Sequence, residues 1–165
     1  MKRADVIASI GASDLEHIDT ALRNLLRETN ARCSVLVDRT GRLLTIVGDS
    51  GGFDQIAFAS LAAADFAASD QLAALLGEPE FSSLYHHSDR HSMYLADVAG
   101  WAILAVLFDR RATLGLVRLR TRAAARQLAH VLNEMAEHGP SGSVVQMEVG
   151  WAEDVEGEID RLFTE

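Results

Sequence analysis

The stretch FSSLYHHSDRHSMYLADVAGWAILAVLFD, residues 81–109, sets the fold class of this chain. Two short turns divide it, and it predicts three strands, at residues 81–87, 91–98 and 101–108. The third strand is apolar at every position, so we expect both of its faces to be covered at the centre of a sheet. The first strand carries two serines and two histidines, which suits an edge. Because only short turns join these strands, the sheet is predicted to be mostly antiparallel.

The residues before this stretch predict a helix and a hairpin. Ser13 and Glu16 have the spacing of a capping box, and the leucines behind them recur at helical spacing, which predicts a first helix at residues 14–29. The runs CSVLVD and LLTIVG, at residues 33–38 and 43–48, flank a short polar turn and predict two paired strands.

Two more helices complete the predicted domain. An alanine-rich run at residues 53–76, closed by Gly77, predicts the second helix, and an apolar stripe at 113–137 predicts the last one. The order is therefore α-β-β-α-β-β-β-α. We expect one three-layer α+β domain over residues 1–138, with a five-stranded, mostly antiparallel sheet and helices on both faces. Residues 139–165 form a separate acidic tail.

Composition and charge exclude several classes of protein. The net charge of −9 argues against nucleic acid as a general partner. No apolar run is long enough to enter a membrane, and the first residues lack the apolar core of a signal peptide, so we expect a cytoplasmic protein. The charge is uneven, because residues 110–126 hold six arginines and no acid, whereas residues 137–165 hold eight acids and one arginine. Either segment could simply be a solvated face.

The sequence GDSGG at residues 48–52 surrounds the nucleophilic serine of trypsin-like proteases. Those enzymes are double β-barrels, which the long predicted helices exclude. The glycines are better explained as a turn into the second helix, with Asp49 or Ser50 capping its free N–H groups and Asp54 near its positive end. No phosphate-binding loop, zinc-protease motif or carboxylate pair occurs either, so we expect that the protein is not an enzyme.

Three histidines, His86, His87 and His91, raise the possibility of a metal site. Side chains alternate along a strand, so His86 and His87 point to opposite faces and at most two of the three could converge. No cysteine or nearby glutamate completes a ligand set, and Cys33 is predicted to be a buried small residue. We therefore expect no metal and no cofactor.

The second helix is too apolar for a helix that packs on one sheet. A single buried face needs an apolar stripe of about 100°. Apart from a few scattered polar residues, this helix is apolar nearly all round. We expect a second cover, which in a small domain is another subunit. The alternative is an exposed, merely alanine-rich helix.

The tail contains an amphipathic segment. Its apolar residues share one stripe at helical spacing, and acids surround them; the stripe comprises Trp151, Val155, Ile159, Leu162 and Phe163. Such a segment can dock in the groove of a partner and fold there, or pack back on its own domain. The sequence leaves both possibilities open.

Several blocks of the chain resemble the Roadblock family of dynein light chain-like domains. The blocks are VLVDRTGRLL (35–44), LAAADFAAS (61–69), LADVAGWAILAVLFD (95–109) and LGLVRLRTRAAARQLA (114–129). The last block is the most specific, because it contains Gly115 and Arg118 at the spacing of the family. The resemblance covers residues 14–137, and the chain length and the ending EIDRLF are most similar to the bacterial MglB-type proteins, which act in cell polarity.

The resemblance implies a homodimer that regulates a Ras-like small GTPase, mainly by stimulating GTP hydrolysis through the GTPase's own catalytic residues. The alternative is a dimeric scaffold or adaptor without effect on turnover. The implied dimer interface comprises Phe58, Ala62, Phe66, Leu84 and Tyr85. The implied partner-binding residues are Ala63, Ala64, Ala67, Ala68, Arg118 and Arg122. Asp65 departs from the family pattern, because a small neutral residue is expected there, and it places an acid near the partner surface.

Overall fold

The computed structural model describes residues 3–138 of the chain. Its elements follow one another as α1 (Arg3–Ala8), α2 (Ala12–Thr29), β1 (Cys33–Asp38), β2 (Leu43–Gly48), α3 (Gln55–Leu75), β3 (Ser83–His87), β4 (Ser92–Val98), β5 (Ala102–Phe108) and α4 (Leu114–His138). The sheet has five strands in the order β2-β1-β5-β4-β3, and every pairing is antiparallel. The predicted α+β class is confirmed. Within this range no helix is long and apolar enough to cross a bilayer.

Strand β5 lies at the centre of the sheet, as its unbroken apolar sequence predicts. It pairs with β1 on one side and β4 on the other, and nearly all of its residues are buried. Strand β3 lies at an edge, and His86 and His87 at its end are exposed. Strands β3, β4 and β5 begin one or two residues later than predicted, because the segments before them extend further than their sequences suggest, whereas β1 and β2 have the predicted bounds.

Two cores lie on the two faces of the sheet. Helices α1, α2 and α4 cover one face, where Leu22, Leu104 and Leu128 are buried. Helix α3 alone covers the other face, where Phe66 and Ile103 are buried. The alternation of side chains along each strand sends successive residues to opposite cores, which explains why the central strands need no polar residues.

The N-terminal region differs from the sequence prediction in two ways. The six-residue helix α1 was not predicted; Val6 and Ile7 are buried in the core on the side of the sheet that α4 covers, and tertiary packing rather than propensity stabilises a helix this short. Helix α2 begins two residues earlier than predicted. Its N-cap is Gly11, whose N–H donates to the Asp14 carboxylate at 3.2 Å, so the capping pattern of Ser13 and Glu16 is wrong.

The GDSGG segment is a turn into α3, as predicted. Gly48 has a φ of 96°, and a Cβ there would lie 2.3 Å from the backbone oxygen of Arg32, so only glycine fits. The cap of α3 is Asp54, whose Oδ1 accepts from the N–H groups of Ile56 and Ala57 at 3.1 and 3.0 Å. The prediction that Asp49 or Ser50 caps this helix is therefore wrong, because Asp54 stands directly at the first turn.

The cap assignment makes a prediction about stability. We expect Asp54→Ala to lower the free energy of unfolding by about 1 kcal/mol, since two N–H groups of α3 lose their acceptor. The matched variant Ser50→Ala should change it by less than about 0.5 kcal/mol, because Ser50 only accepts a long bond of 3.5 Å from Gln55. Urea unfolding of both variants measures the difference. Equal losses in the two variants would show that Asp54 is not the cap.

Candidate functional site

Helix α3 carries two apolar stripes on opposite sides. The inner stripe faces the sheet and is buried; it includes Ala59, Ala62, Ala63, Phe66 and Ala73. The outer side carries a second row at spacings of four, three, four, four and three residues, and every member is exposed. We call this row the α3 outer stripe; it comprises Ala57, Leu61, Ala64, Ala68, Leu72 and Leu75. A helix with a buried stripe and an exposed apolar stripe is suited to pack on two partners at once.

The exposure of the leucines makes this stripe a candidate binding surface. The exposed fractions of Leu61, Leu72 and Leu75 are 70%, 56% and 83%. One exposed leucine is ordinary, but an uninterrupted apolar row along a helix is not. These leucines were not among the interface residues expected from sequence. Their spacing shows from sequence alone that they share one side of the helix. Only the orientation of α3 on the sheet shows that this side faces outward.

The edge of the sheet lies beside α3. Strand β3 pairs only with β4 among the described strands, so its other edge has backbone groups ready for pairing. Helix α3 lies mainly over β1, β2 and β5, and next to it Leu84 and Met93 on β3 and β4 are only partly buried. The α3 outer stripe, the partly open sheet face and the strand edge are therefore parts of one side of the domain.

A hydrogen bond connects α3 to this edge strand. Nε2 of His86 lies 2.6 Å from Oδ2 of Asp65, which is the acid that departs from the family pattern. Both side chains are partly exposed, so the pair contributes little to stability, and it is an ion pair only when the histidine is protonated. The acid at position 65 thus has a partner within the same protomer.

The C-terminal half of α3 is bound by Arg39. Its Nη2 lies 2.9 Å from Asp70 on α3 and its Nη1 3.4 Å from Asp97 on β4, and the guanidinium lies 5.3 Å from the centre of the Phe66 ring. One cation therefore joins a helix, a strand and a core aromatic. Sequence reasoning missed this residue, because its two carboxylate partners are distant along the chain.

The turn that carries Arg39 is itself well ordered by hydrogen bonds. Asp38 accepts from the backbone N–H groups of Thr40 and Arg42, each at 2.9 Å, and from the Thr40 hydroxyl at 2.6 Å. Burial raises the pKa of Asp38, but the bonds from Thr40 and Arg42 outweigh burial and hold the pKa below its usual value. Gly41 follows in a left-handed conformation and lies against Ser60 of α3. This turn therefore positions Arg39 under the helix.

The structure places the residues expected at the dimer interface in three different environments. Phe58 and Leu84 are partly buried on the α3 side. Ala62 and Phe66 are buried beneath α3 in the protomer, so they are not on a surface, and this assignment needs correction. Tyr85 is exposed but points to the opposite face, where its ring stacks on Phe108. These residues do not share one surface because neighbouring positions along a helix or a strand point to different sides of it.

The residues expected to bind a partner also separate. Ala64, Ala67 and Ala68 are exposed on α3, but Ala63 is buried against the sheet and cannot contact a partner. Arg118 and Arg122 are exposed on α4, which lies on the other face of the sheet. The structure therefore places the predicted partner residues on two separate surfaces and does not bring them together.

The histidines do not converge. His87 contacts the hydroxyl of Ser92 at 2.9 Å, and Nδ1 of His91 lies 3.4 Å from Nη1 of Arg32, whereas His86 faces α3. Between residues 3 and 138 no three histidine, cysteine or acidic side chains are grouped to hold a metal ion.

A cleft of about 360 Å³ beside GDSGG is lined by Ser50, Asp49 and His91 among others. The three side chains do not form a catalytic triad. Asp49 accepts from Arg32 at 3.2 Å, Ser50 accepts from the Gln55 amide, and His91 contacts Arg32.

The nearby Cys33 is fully buried, as predicted. Burial together with the charge of Asp49 raises the pKa of this thiol to about 11, so it stays protonated at neutral pH. The cleft thus offers no nucleophile of an acyl-transfer enzyme.

The tail residues predicted to dock, Trp151, Val155, Ile159, Leu162 and Phe163, lie outside the residues that the structure describes. Their assignment stays a prediction from sequence.

Comparisons with known proteins agree with this architecture. The model of the Roadblock/LC7 domain family matches residues 17–108. The structure of Myxococcus xanthus MglB has a TM-score of 0.69 at 36% identity, covering 72% of this chain and 89% of that one. The gliding protein MglB of Thermus thermophilus has the same TM-score at 34% identity, covering 75% and 93%. An MglB described as having a tetrameric arrangement scores 0.69 at 35% identity, again covering 75% and 93%. A comparison with curated proteins gave no significant match.

Proposed function

The chain belongs to the Roadblock/LC7 family, as an MglB-type member, and from this premise we propose that it is a homodimeric regulator of a Ras-like small GTPase. In this proposal the protein acts in the cytoplasm and is not itself an enzyme. It binds the GTPase and accelerates GTP hydrolysis by repositioning the GTPase's own catalytic residues. The observation that carries the proposal is the α3 outer stripe, an exposed apolar helix face on a member of this family.

The dimer is supported by the geometry on the α3 side of the domain. The α3 outer stripe contains three alanines and three leucines, so the small residues of one helix can accept the large residues of another and the two helices can approach closely. The free edge of β3 lies on the same side and can pair with its copy to extend the sheet. A twofold arrangement satisfies both surfaces at once, because each is self-complementary.

The absence of arginine and lysine from α3 supports the proposed mode of action. The sequence of α3 contains no basic residue, and the nearby Arg39 is already bound to Asp70 and Asp97. A GTPase that docks on α3 would therefore receive no arginine finger, which is the usual device for stabilising charge on the transferring phosphate. A protein that stimulates GTP hydrolysis through this surface would therefore have to do so by moving the GTPase's own catalytic residues into position.

We expect the purified protein to accelerate GTP hydrolysis by a Ras-like GTPase encoded beside it at least about 10-fold, a lowering of the barrier by about 1.4 kcal/mol. Single-turnover hydrolysis with and without the protein is the measurement. The variant Ala67→Glu should lose most of this acceleration, because it places a charge on the exposed side of α3. The matched variant Ala8→Glu changes an exposed alanine on α1, outside the two helices that carry the expected partner residues, and should keep the acceleration.

The outcomes of this assay separate the candidate functions. Binding of the GTPase without faster hydrolysis would favour the dimeric scaffold or adaptor. Neither binding nor acceleration with the neighbouring GTPase would overturn the proposal.

A further inference from the structure

The outward side of α4 combines exposed leucines with arginines. Leu116 and Leu119 are 37% and 61% exposed, and Ala123 continues their row one turn later. Arg118, Arg120, Arg122 and Arg126 flank this row. We call the outward side of α4 from Leu116 to Arg126 the α4 basic face. It lies on the face of the sheet opposite α3, so the proposed dimer leaves it free.

Most of the positive charge on the α4 basic face is uncompensated within residues 3–138. Arg120 lies 3.5 Å from Glu28 on α2, but Arg118, Arg122 and Arg126 form no ion pair with any other described residue. Four like charges on fewer than four turns repel one another. An acidic partner would remove this repulsion, and an amphipathic one would also cover the leucines.

Residues 139–165 have the complementary composition. They carry seven acids and only one base, Arg161, which makes a net charge of −6. The apolar stripe that begins at Trp151 and ends at Phe163 has acids on both of its sides. Apolar residues at helical spacing with flanking acids match exposed leucines with flanking arginines.

The α3 outer stripe is a poorer partner for the tail. Helix α3 contains no base, and Asp65 and Asp70 lie on it while Asp54 stands at its start. An acidic segment docked there would find no basic residue on the helix to compensate its charge. Charge therefore assigns the tail to α4 rather than to α3.

The chain is long enough for this contact within one protomer. Helix α4 ends at His138, and the α4 basic face begins about 18 Å back along the helix axis and ends about 33 Å back, at 1.5 Å per residue. Residues 139–150 can span about 40 Å when extended. A segment of the length of 151–163, about 20 Å if helical, can therefore lie antiparallel along the α4 basic face.

We propose that the acidic tail docks on the α4 basic face of its own chain, with its apolar stripe over Leu116 and Leu119 and its acids beside the arginines. One consequence rests on the proposed function: the docked tail covers Arg118 and Arg122, which the family resemblance assigns to partner binding. The tail and the GTPase then compete for this surface. The contact is electrostatic in part, so it weakens as salt rises.

Trp151 reports on this docking in the full-length protein. The chain has two tryptophans, so in a Trp101→Phe background the fluorescence comes from the tail alone. We expect acrylamide to quench Trp151 at least about twofold more strongly in Arg122→Glu/Arg126→Glu than in the background protein. The matched control is Arg23→Glu/Arg27→Glu, which reverses two exposed arginines at the same spacing on α2 and should leave quenching unchanged.

A charge swap makes the test specific. Glu156→Arg/Asp160→Arg should raise quenching in the background protein and restore protection when combined with Arg122→Glu/Arg126→Glu. Equal quenching in all variants would overturn the proposal. Protection that increases with protein concentration would show that the tail docks on another copy, and would overturn docking within one chain.

The competition is tested separately, with the GTPase present. Glu156→Arg/Asp160→Arg should bind the GTPase at least about threefold more tightly than the unmodified chain, because the surface is uncovered. An unchanged affinity for the GTPase would show that the tail and the GTPase do not compete for the α4 basic face. The quenching experiment contains no GTPase, so its failure and the failure of the proposed function are distinguishable.

Discussion

Leu61→Asp/Leu72→Asp is expected to convert the protein from a dimer to a monomer. Each leucine of the α3 outer stripe would be buried in the proposed interface, and burial of one leucine contributes about 1.5–3 kcal/mol. The two substitutions remove four leucines from a twofold dimer and place four carboxylates there. Even half of the smallest sum of the four leucine contributions, about 3 kcal/mol, corresponds to a dissociation constant raised more than about 100-fold.

Sedimentation equilibrium measures this change, and two controls interpret it. The two leucines are 70% and 56% exposed, so the circular dichroism spectrum of the protomer should be unchanged. Leu119→Asp alters a leucine of similar exposure on α4 and should leave the dimer intact. If the double variant sediments as the unmodified protein does, the α3 outer stripe is not the interface.

Arg39→Met is expected to lower the free energy of unfolding of the protomer by about 2–3 kcal/mol. Its side chain neutralises Asp70 and Asp97, whose side chains are only 28% and 14% exposed, and it lies over the ring of Phe66. Removing one member of a buried ion pair costs about 3–5 kcal/mol, because the remaining charge is left without its partner. The partial exposure of this cluster places the expected loss below that range.

Urea unfolding of the monomeric background variant isolates this effect from dissociation. Arg27→Met removes an exposed arginine that bonds, within residues 3–138, only the side chain of Asn24, and it should cost less than about 0.5 kcal/mol. Combining Arg39→Met with Asp70→Asn and Asp97→Asn should recover part of the loss, since neutral amides need no counter-charge. An Arg39→Met protein as stable as Arg27→Met would mean that this ion-pair cluster does not anchor α3.

The fold class could be predicted because its signals are local. The apolar run of β5 placed that strand at the centre, and the short turns on either side of β4 required antiparallel neighbours. Helix α1 could not be predicted, because six residues have too little intrinsic stability and depend on Val6 and Ile7 being buried by other elements. The cap of α2 was mispredicted because Gly11, which has no capping side chain, precedes the helix and its N–H bonds to Asp14.

The sequence identified α3 as the helix that carries the candidate site, but it did not identify which residues of α3 form the exposed surface. An α3 that is apolar nearly all round indicates a second cover, and the exposed leucines support that inference. The same uniformity removes any signal for which side faces the sheet, since a helix needs a polar side to specify its rotation. The family resemblance implied that Ala62, Ala63 and Phe66 lie at interfaces, and the sequence carried no signal that they lie in the core instead.

The sequence by itself determined the order of the elements, the antiparallel sheet, its centre and an α3 that is apolar on more than one side. These depend on periodicity and turn residues, which act over a few positions. Only the tertiary structure decided which face of α3 is free, that Arg39 joins Asp70 to Asp97, and that α4 presents its arginines on the other side of the sheet. These depend on contacts between residues distant in the chain, whose distances exist only once the sheet has brought them together.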